Sequence, residues 1–210
     1  MRGVIFDVDG TLLDSMSMWF DLAVEFYEEQ GHTLTKERAM EYGDVTLEES
    51  VPLIIEELGL DMTAEELIGH LKKMAVRHYE EIIPLKEGAA EYMKKLHDDG
   101  VKIAIATSGY KELCKRAFTR LGVWQYIDEC AFSEEVGVNK SNPDVYLLAA
   151  KRIGVKPEEC VVYEDIARGI GGAKKGGFKT CAVYDKSNEG ETEELKRLAD
   201  GYIKSWKELL

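Results

Sequence analysis

Two acidic residues, Asp7 and Asp9, follow an apolar stretch near the start of the 210-residue chain and are separated by one residue. In an extended backbone, side chains two positions apart project to the same side, and Gly10 allows the chain to turn directly after them. Two neighbouring carboxylates repel each other, so they are tolerated where a metal ion, a shared proton or a lysine compensates their charge. The alternative for such a short motif is that both acids only cap a turn or a strand end.

A second acidic pair, Glu164 and Asp165, follows another apolar stretch at residues 160–163. The carboxyl ends of parallel strands meet at one edge of an open α/β sheet, and ligands bind at that edge. We therefore expect the two acidic pairs to converge, and four converging acids require a cation. Oxygen ligands suit Mg²⁺, so the sequence predicts a magnesium site formed by the two pairs.

Three further residues carry groups suited to an anionic substrate. Thr107 and Ser108 end the apolar stretch 103–106 and offer a hydroxyl group and turn amides. Lys140 lies shortly before Pro143, which suits the first turn of a helix. Taken singly, these residues are ordinary helix caps or a surface lysine. Combined with a metal ion, they would supply the local positive field that a phosphate group needs.

The whole chain is acidic, with 27 Lys and Arg residues against 40 Asp and Glu residues and a formal net charge of −13 at pH 7. This charge repels nucleic acid, and no dense basic cluster occurs, so we expect no nucleic-acid partner. The sequence contains neither a run of ~18 apolar residues nor the apolar centre of a secretory signal. We expect a cytoplasmic monomer without membrane association, whose four cysteines are free thiols.

The elements that must position these groups alternate along the carboxyl-terminal two thirds of the chain. Amphipathic stretches end at a glycine and lead into short β-branched runs, as at Gly100, Gly177 and Gly201. This alternation predicts βαβ units with right-handed crossovers and a mainly parallel sheet. The predicted strands are 4–6, 101–106, 160–163, 178–183 and 202–203, and the predicted helices are 87–98, 110–121, 143–153 and 167–175.

Residues 15–83 have helical periodicity and no strand-like run. The sequence therefore predicts an α/β fold with two domains. Residues 1–14 and 84–210 form a Rossmann-like, mainly parallel sheet core, and residues 15–83 form an inserted α-helical cap domain. The two connections, near Asp14 and Pro84, are expected to lie close together and to act as a hinge.

The order of these motifs resembles that of the haloacid dehalogenase-like hydrolases over nearly the whole chain. Phosphatases of that family share Asp-x-Asp-Gly-Thr, a strand ending in Thr or Ser, a lysine and a late acidic pair. The matching positions here are residues 7–11, 107–108, 140 and 164–165. The helical insert resembles the cap of the branch that contains β-phosphoglucomutase, phosphoglycolate phosphatase and sugar-phosphate phosphatases. Ser141 and Ile166 replace the usual proline and serine, and neither departure removes a charged group.

The resemblance implies a Mg²⁺-dependent phosphatase that acts on a small phosphorylated metabolite through an aspartyl-phosphate intermediate. It implies that Asp7 is the nucleophile and that Asp9 is the general acid and base. The implied metal ligands are the Asp7 carboxylate, the Asp9 backbone carbonyl, Glu164 and Asp165. The implied groups that hold the remaining phosphoryl oxygens during catalysis are Thr107, Ser108 and Lys140.

Three other classes of function fit these residues less well. Carbon–halogen hydrolysis also uses an aspartate nucleophile but needs no general acid, so Asp9 favours phosphoryl transfer. A nucleotide-binding loop is disfavoured, because the glycine spacing in residues 169–178 fits neither common motif and instead suits close helix packing and a helix stop. A non-catalytic regulatory domain of the same fold would lack the nucleophile or the lysine, and Asp7 and Lys140 are both present.

A mutase of the β-phosphoglucomutase type remains the main alternative enzyme. In that pattern a cap histidine contacts the acid/base and a cap arginine binds the distal phosphate, and the equivalent positions here are Trp19 and Leu47. Leucine cannot bind a second phosphate, so we expect net hydrolysis; the alternative is that Lys72, Lys73 or Arg77 of a later helix binds it. The candidate substrate contacts near the hinge are Ser15, Met18, Trp19, Asp44 and Thr46. The alternative for each is a purely structural role, because a helical insert also needs core residues. Ser15 and Trp19 are predicted to bind substrate.

Overall fold

A computed structural model describes residues 1–35, 38 and 47–210, without the side chains of residues 19 and 47–49. The chain divides into two compact units. The first comprises Met1–Met16 and Ile83–Leu210, and the second comprises Ser17–Ile82. The boundaries predicted from the sequence are residues 14/15 and 83/84.

The first unit is built on a six-stranded parallel sheet with the order β3-β2-β1-β4-β5-β6. The predicted α/β, Rossmann-like fold is confirmed. Strands β1, β2 and β4 are buried along almost their whole length, as expected where helices cover both faces of a sheet. The strands are β1 Gly3–Phe6, β2 Lys102–Thr107, β3 Glu129–Phe132, β4 Cys160–Glu164, β5 Lys179–Val183 and β6 Gly201–Ile203.

The helices of this unit connect successive strands. All four predicted helices are present, with ends within two residues of the predicted ones. The α-helices longer than one turn are α1 Ala89–Asp98, α2 Lys111–Arg120, α3 Asp144–Arg152, α4 Ala167–Lys175 and α5 Thr192–Leu198. A single α-turn lies at Ser133–Val136, and 3₁₀ turns lie at Trp124–Tyr126, Pro157–Glu159, Lys186–Glu191 and Trp206–Leu209.

Strand β3 was not predicted from the sequence. It has four residues, Glu-Cys-Ala-Phe, and contains no β-branched residue. Only Ala131 and Phe132 are buried, because β3 is an edge strand that pairs with β2 alone. The extended conformation of β3 therefore depends on its pairing with β2 and not on the strand propensity of its residues.

The order of the strands determines where a ligand can bind. From β1 the chain proceeds outward through β2 to β3, and it then returns to the other side of β1 with β4. The direction of winding therefore reverses between β1 and β4, and a crevice forms at the carboxyl ends of strands at such a point. Asp7 follows β1 directly, and the pair Glu164 and Asp165 stands at the end of β4.

An aromatic cluster packs around Phe6, the last residue of β1. Phe6 packs against Trp206 with ring centroids 5.4 Å apart, and Tyr92 and Tyr163 complete the cluster. The indole N–H of the fully buried Trp206 donates a hydrogen bond to the carbonyl of Thr11 at 3.2 Å. The last turn of the chain is thereby bound to the segment that carries the first acidic pair.

The second unit is helical in its described residues. Its elements are helices Met18–Glu29, Leu47–Leu58 and Ala64–Arg77, followed by a π-helical turn at His78–Ile82. The Ala64–Arg77 helix begins with a capping box, because Thr63 and Glu66 each accept a hydrogen bond from the backbone N–H of the other. The predicted periodicity of this helix is confirmed, and its buried residues are Leu67, Leu71, Met74 and Ala75.

The two chain segments that flank the second unit lie side by side. The backbone N–H of Asp14 donates to the carbonyl of Pro84 at 3.0 Å, and the N–H of Lys86 donates to the carbonyl of Leu12 at 2.8 Å. The four cysteines are free, as predicted. Within the described part of the chain, every helix is too short or too polar to cross a bilayer.

Candidate active site

Three buried carboxylates meet at the carboxyl ends of β1 and β4. One oxygen from each of Asp7, Glu164 and Asp165 lies within 4.8 Å of the others. Asp7 is held at this edge because its backbone N–H continues the sheet pairing and donates to the carbonyl of Tyr163 at 3.0 Å. The parallel sheet therefore brings together two acidic motifs that are more than 150 residues apart in sequence.

Lys140 lies among these acids and is itself buried. Its ammonium group contacts Asp7 Oδ1 and lies 2.6 Å from Glu164 Oε1. Burial alone would lower the pKa of Lys140, but the charges of Asp7 and Glu164 outweigh burial and raise the pKa. The lysine therefore remains a cation. The hydroxyl of Tyr146 donates a second hydrogen bond to Glu164 Oε1 at 2.8 Å.

Two glycines of α4 make room for this arrangement. A Cβ atom on Gly172 would lie 2.0 Å from the carbonyl oxygen of Lys140, and one on Gly169 would lie 2.4 Å from the carboxyl carbon of Glu164. The prediction that these glycines serve close helix packing is confirmed. The predicted helix stop is confirmed as well, since Gly177 adopts a φ of +83° directly after the helix.

Asp165 accepts hydrogen bonds on both carboxylate oxygens. Thr11 Oγ1 donates to Oδ1 at 3.2 Å, and Asn188 Nδ2 donates to Oδ2 at 2.6 Å. Burial, followed by the charges of Asp7 and Glu164, raises the pKa of Asp165 well above its ordinary value. Burial likewise raises the pKa of Glu164. The protein alone does not compensate three ionised carboxylates at this position.

The donor set fits a divalent cation of the magnesium type. All three candidate ligands are carboxylates, and one lysine among three acids leaves two negative charges uncompensated. Glu164 is the most heavily occupied of the three, because Oε1 accepts from Lys140 and Tyr146 and Oε2 accepts from the backbone N–H of Asp165 at 3.2 Å. Each oxygen of Asp165 accepts a side-chain hydrogen bond and retains capacity for a cation.

Asp9 and Thr107 both lie next to Gly109, at the carboxyl edge of the sheet. Ser15 Oγ donates to Asp9 Oδ1 at 2.7 Å. Thr107 ends β2, and its hydroxyl oxygen accepts from the N–H of Gly109 at 2.9 Å. A Cβ atom on Gly109 would lie 3.3 Å from Thr107 Oγ1 and 3.4 Å from Asp9 Oδ2. Ser108 is exposed, and its hydroxyl pairs with that of Ser133 at 3.0 Å.

The candidate substrate contacts from the insert fall into separate places. Ser15 is buried in the first unit, where its hydroxyl binds Asp9. Met18 is buried in the second unit, and Trp19 follows it in the same helix. The side chain of Trp19 and all of Asp44 and Thr46 lie outside the described residues. Substrate binding by Ser15 and Trp19 stays a prediction.

Three residues of the site received no role from the sequence. Thr11 and Asn188 bind Asp165, and Tyr146 binds Glu164. Tyr146 could not be distinguished from a core aromatic, because its helix gives the same apolar periodicity in either case. Asn188 lies in the loop that follows β5, at the edge where the other site residues lie. Its position after a strand could therefore have indicated a place in the site.

The fold and this cluster are those of an α/β enzyme with its site at the carboxyl edge of a parallel sheet. The sequence of residues 4–183 matches the family model of the haloacid dehalogenase-like hydrolases. The chain belongs to this family, so the predicted family and the expectation of a hydrolytic enzyme are confirmed.

Similar proteins differ in their named activities. A phosphorylated carbohydrates phosphatase of Thermotoga maritima is 28% identical over 91% of this chain and 89% of its own length. The (S)-2-haloacid dehalogenase 4A of Burkholderia cepacia is 29% identical over 98% of this chain and 94% of its own length. A candidate β-phosphoglucomutase from Thermotoga maritima, known from a crystal structure, is 27% identical in sequence. The two structures superpose with a TM-score of 0.90 over 100% of this chain and 97% of that chain.

Proposed function

We propose that this protein is a Mg²⁺-dependent phosphatase that hydrolyses a small phosphate monoester, such as a sugar phosphate. The observation that carries the proposal is the contact of Asp7 with Lys140 beside Glu164 and Asp165. Residues 1–14 and 84–210 form the catalytic core in this proposal, and residues 15–83 form a cap over the substrate. The protein acts as a monomer without nucleic-acid or membrane partners.

Asp7 is the nucleophile. A carboxylate oxygen of Asp7 attacks phosphorus, the bond from phosphorus to the ester oxygen breaks, and an aspartyl phosphate forms. Water then attacks the same phosphorus atom, which releases inorganic phosphate and restores the carboxylate. Lys140 supports this role, because its ammonium group contacts Asp7 and offsets the charge that repels an incoming phosphate.

Asp9 is the general acid and base. Its carboxyl group gives a proton to the leaving alkoxide and later takes one from the attacking water, a contribution of about 10²- to 10⁴-fold in rate. The hydrogen bond from Ser15 supports this assignment, because it fixes the orientation of the Asp9 carboxyl group. Thr107, Ser108 and Lys140 bind the phosphoryl oxygens that do not react.

A bound Mg²⁺ ion would lower the electrostatic repulsion between Asp7 and the phosphate. Asp7 and Asp165 would hold the ion through their carboxylates, and Asp9 would do so through its backbone carbonyl. Glu164 is assigned a supporting place next to the ion, because its oxygens already accept hydrogen bonds from Lys140 and Tyr146. This assignment refines the prediction that Glu164 and Asp165 are both ligands.

Two of the similar proteins are named for other activities, dehalogenation and phosphoglucomutase activity. A dehalogenase needs no acid for its halide leaving group, and Asp9, held by Ser15, supports phosphate-ester chemistry over carbon–halogen cleavage. A mutase must bind a second phosphate, and the uncharged Leu47 at the position of the distal-phosphate arginine favours hydrolysis.

A substrate screen with Mg²⁺ tests the proposal. Sugar phosphates, glycolate phosphate, polyol phosphates, nucleotides and 2-haloacids are compared by release of phosphate or halide, with and without excess chelator. We expect phosphate release from a monophosphate and its loss in chelator. Halide release alone, or phosphate release unchanged by chelator, would contradict the proposal. Conversion of β-glucose 1-phosphate to glucose 6-phosphate without phosphate release would instead identify a mutase.

A further inference from the structure

The loop that follows β5, residues 185–191, is fixed at both ends to other parts of the core. At its start, the buried carboxylate of Asp185 lies 2.7 Å from the ammonium group of Lys86 and accepts from the N–H of Ser187 at 2.8 Å. At its end, the carboxylate of Glu191 accepts from the N–H of Ala167 at 2.9 Å, in the first turn of α4. These contacts bind both ends of the loop to the core.

Asn188 lies in the middle of this loop and points to Asp165. Its side-chain amide donates to Asp165 Oδ2 at 2.6 Å, with a longer contact of 3.4 Å to the backbone carbonyl of the same residue. The backbone N–H of Asn188 donates to the carbonyl of Asp185 at 3.2 Å. The backbone hydrogen bond thus anchors Asn188 in the loop, and its side-chain amide acts as the donor to the Asp165 carboxylate.

Two further residues restrict the position of the Asp165 carboxylate. Thr11 Oγ1 donates to Oδ1, the oxygen that Asn188 does not contact. On the side of Asn188, a Cβ atom on Gly10 would lie 2.2 Å from Oδ2, so only glycine at position 10 leaves room for the carboxylate there. The terminal torsion of an aspartate is soft, and a donor on each oxygen restrains it.

We propose that Asn188 is a positioning residue that orients the Asp165 carboxylate for the metal ion. This inference rests on the proposed function, in which Asp165 is a metal ligand. Asn188 does not touch the metal or the substrate. It acts by fixing the plane of the carboxylate before the ion binds, and it leaves each oxygen able to bind a cation.

The test measures Mg²⁺ binding directly, by isothermal titration calorimetry of the full-length protein without substrate. The variants are Asn188→Ala and Asn188→Leu, which both remove the donor, and Leu also preserves side-chain bulk. Glu189→Gln is the matched control, because Glu189 is exposed in the same loop. Loss of a residue that orients a metal ligand costs about 10- to 100-fold in metal affinity. We expect that loss in both Asn188 variants and an unchanged affinity in the control.

Turnover supplies the second readout. Mg²⁺ at saturating concentration should restore most of kcat in the Asn188 variants, because the catalytic groups themselves are intact. The substrate KM at saturating Mg²⁺ should stay unchanged. Melting temperatures measured in chelator report the fold of each variant without the contribution of the metal.

Each outcome has a defined meaning. If the wild type binds Mg²⁺ and both Asn188 variants bind it equally well, the positioning role is wrong, and a lower melting temperature alone would then identify a structural contact. If the variants lose Mg²⁺ affinity as expected but the wild type hydrolyses no phosphate ester, the proposed function is wrong and the positioning role holds. A wild type that binds no Mg²⁺ would overturn both.

Discussion

Replacing Gly172 by alanine should disable the site without touching any reacting group. The added Cβ atom would lie 2.0 Å from the carbonyl oxygen of Lys140, whereas ordinary contacts begin at 3.4 Å, so the two backbones must separate by about 1.4 Å. The partner atom is backbone and cannot rotate away. The ammonium group of Lys140 lies 2.6 Å from Glu164, so a shift of this size breaks its hydrogen bonds with the acids.

The expected loss in kcat is about 10²-fold, because a displacement of about 1 Å in a catalytic site has that effect. Overpacking of the core should cost about 1–3 kcal/mol in the free energy of unfolding. The assay combines phosphate release at saturating substrate and Mg²⁺ with urea unfolding, so that lost turnover is measured under conditions in which the variant is folded.

Gly171→Ala provides the matched control on the same helix. A Cβ atom on Gly171 would meet nothing within 4 Å. The same substitution should therefore leave kcat unchanged and stabilise the helix by about 0.5–1 kcal/mol. If Gly172→Ala retained wild-type kcat, or if both alanine variants lost turnover equally, the argument from close packing against Lys140 would be refuted.

Three further predictions concern the acids. Asp7→Asn should lower kcat by more than about 10³-fold, since an amide is a poor nucleophile, and phosphate release would measure the loss. Asp9→Asn should keep its Mg²⁺ affinity in calorimetry, because the proposed ligand is the backbone carbonyl, and should lose about 10²- to 10⁴-fold in kcat; lost metal binding would contradict this role. Asp185→Asn should cost about 3 kcal/mol in urea unfolding at pH 7, because Lys86 loses its ionic partner and keeps its hydrogen bond to the carbonyl of Tyr184. Burial tends to raise the pKa of Asp185, but hydrogen bonds from Lys86 and Ser187 lower this pKa overall. The stabilisation by the Asp185–Lys86 pair is therefore present above the ordinary pKa of 3.8 and is lost as the pH falls below that value. A difference in stability between wild type and Asp185→Asn that stayed constant down to pH ~2 would refute the role of this ion pair.

The sequence predicted the sheet well where local chemistry and tertiary structure agree. Gly100 and Gly177 each end a helix and precede a β-branched strand, and both adopt the positive φ that such an end requires. Strand β3 was missed because Glu-Cys-Ala-Phe has no strand signal without β2 beside it. Local patterns therefore identify an element only when that element does not depend on its neighbour.

The candidate site was predictable to the extent that its residues end strands. Asp7 and Glu164 were expected to converge because parallel strands share one edge, and the structure brings them together. The contact of Lys140 with both acids depends on the path of a loop and on the absence of a side chain at Gly172, which periodicity does not encode. Asn188 was missed because a loop asparagine has many ordinary uses.

The central position of β1 has a consequence for the synthesis of the chain. Gly3–Phe6 leaves the ribosome well before its two partners, β2 and β4, which begin at Lys102 and Cys160. At about 5–20 residues per second, this fully apolar strand waits roughly 8–30 s before its second neighbour has been made. The strand that precedes Asp7 is thus open to mispairing throughout that interval, and a molecular chaperone that covers it would suppress such pairing.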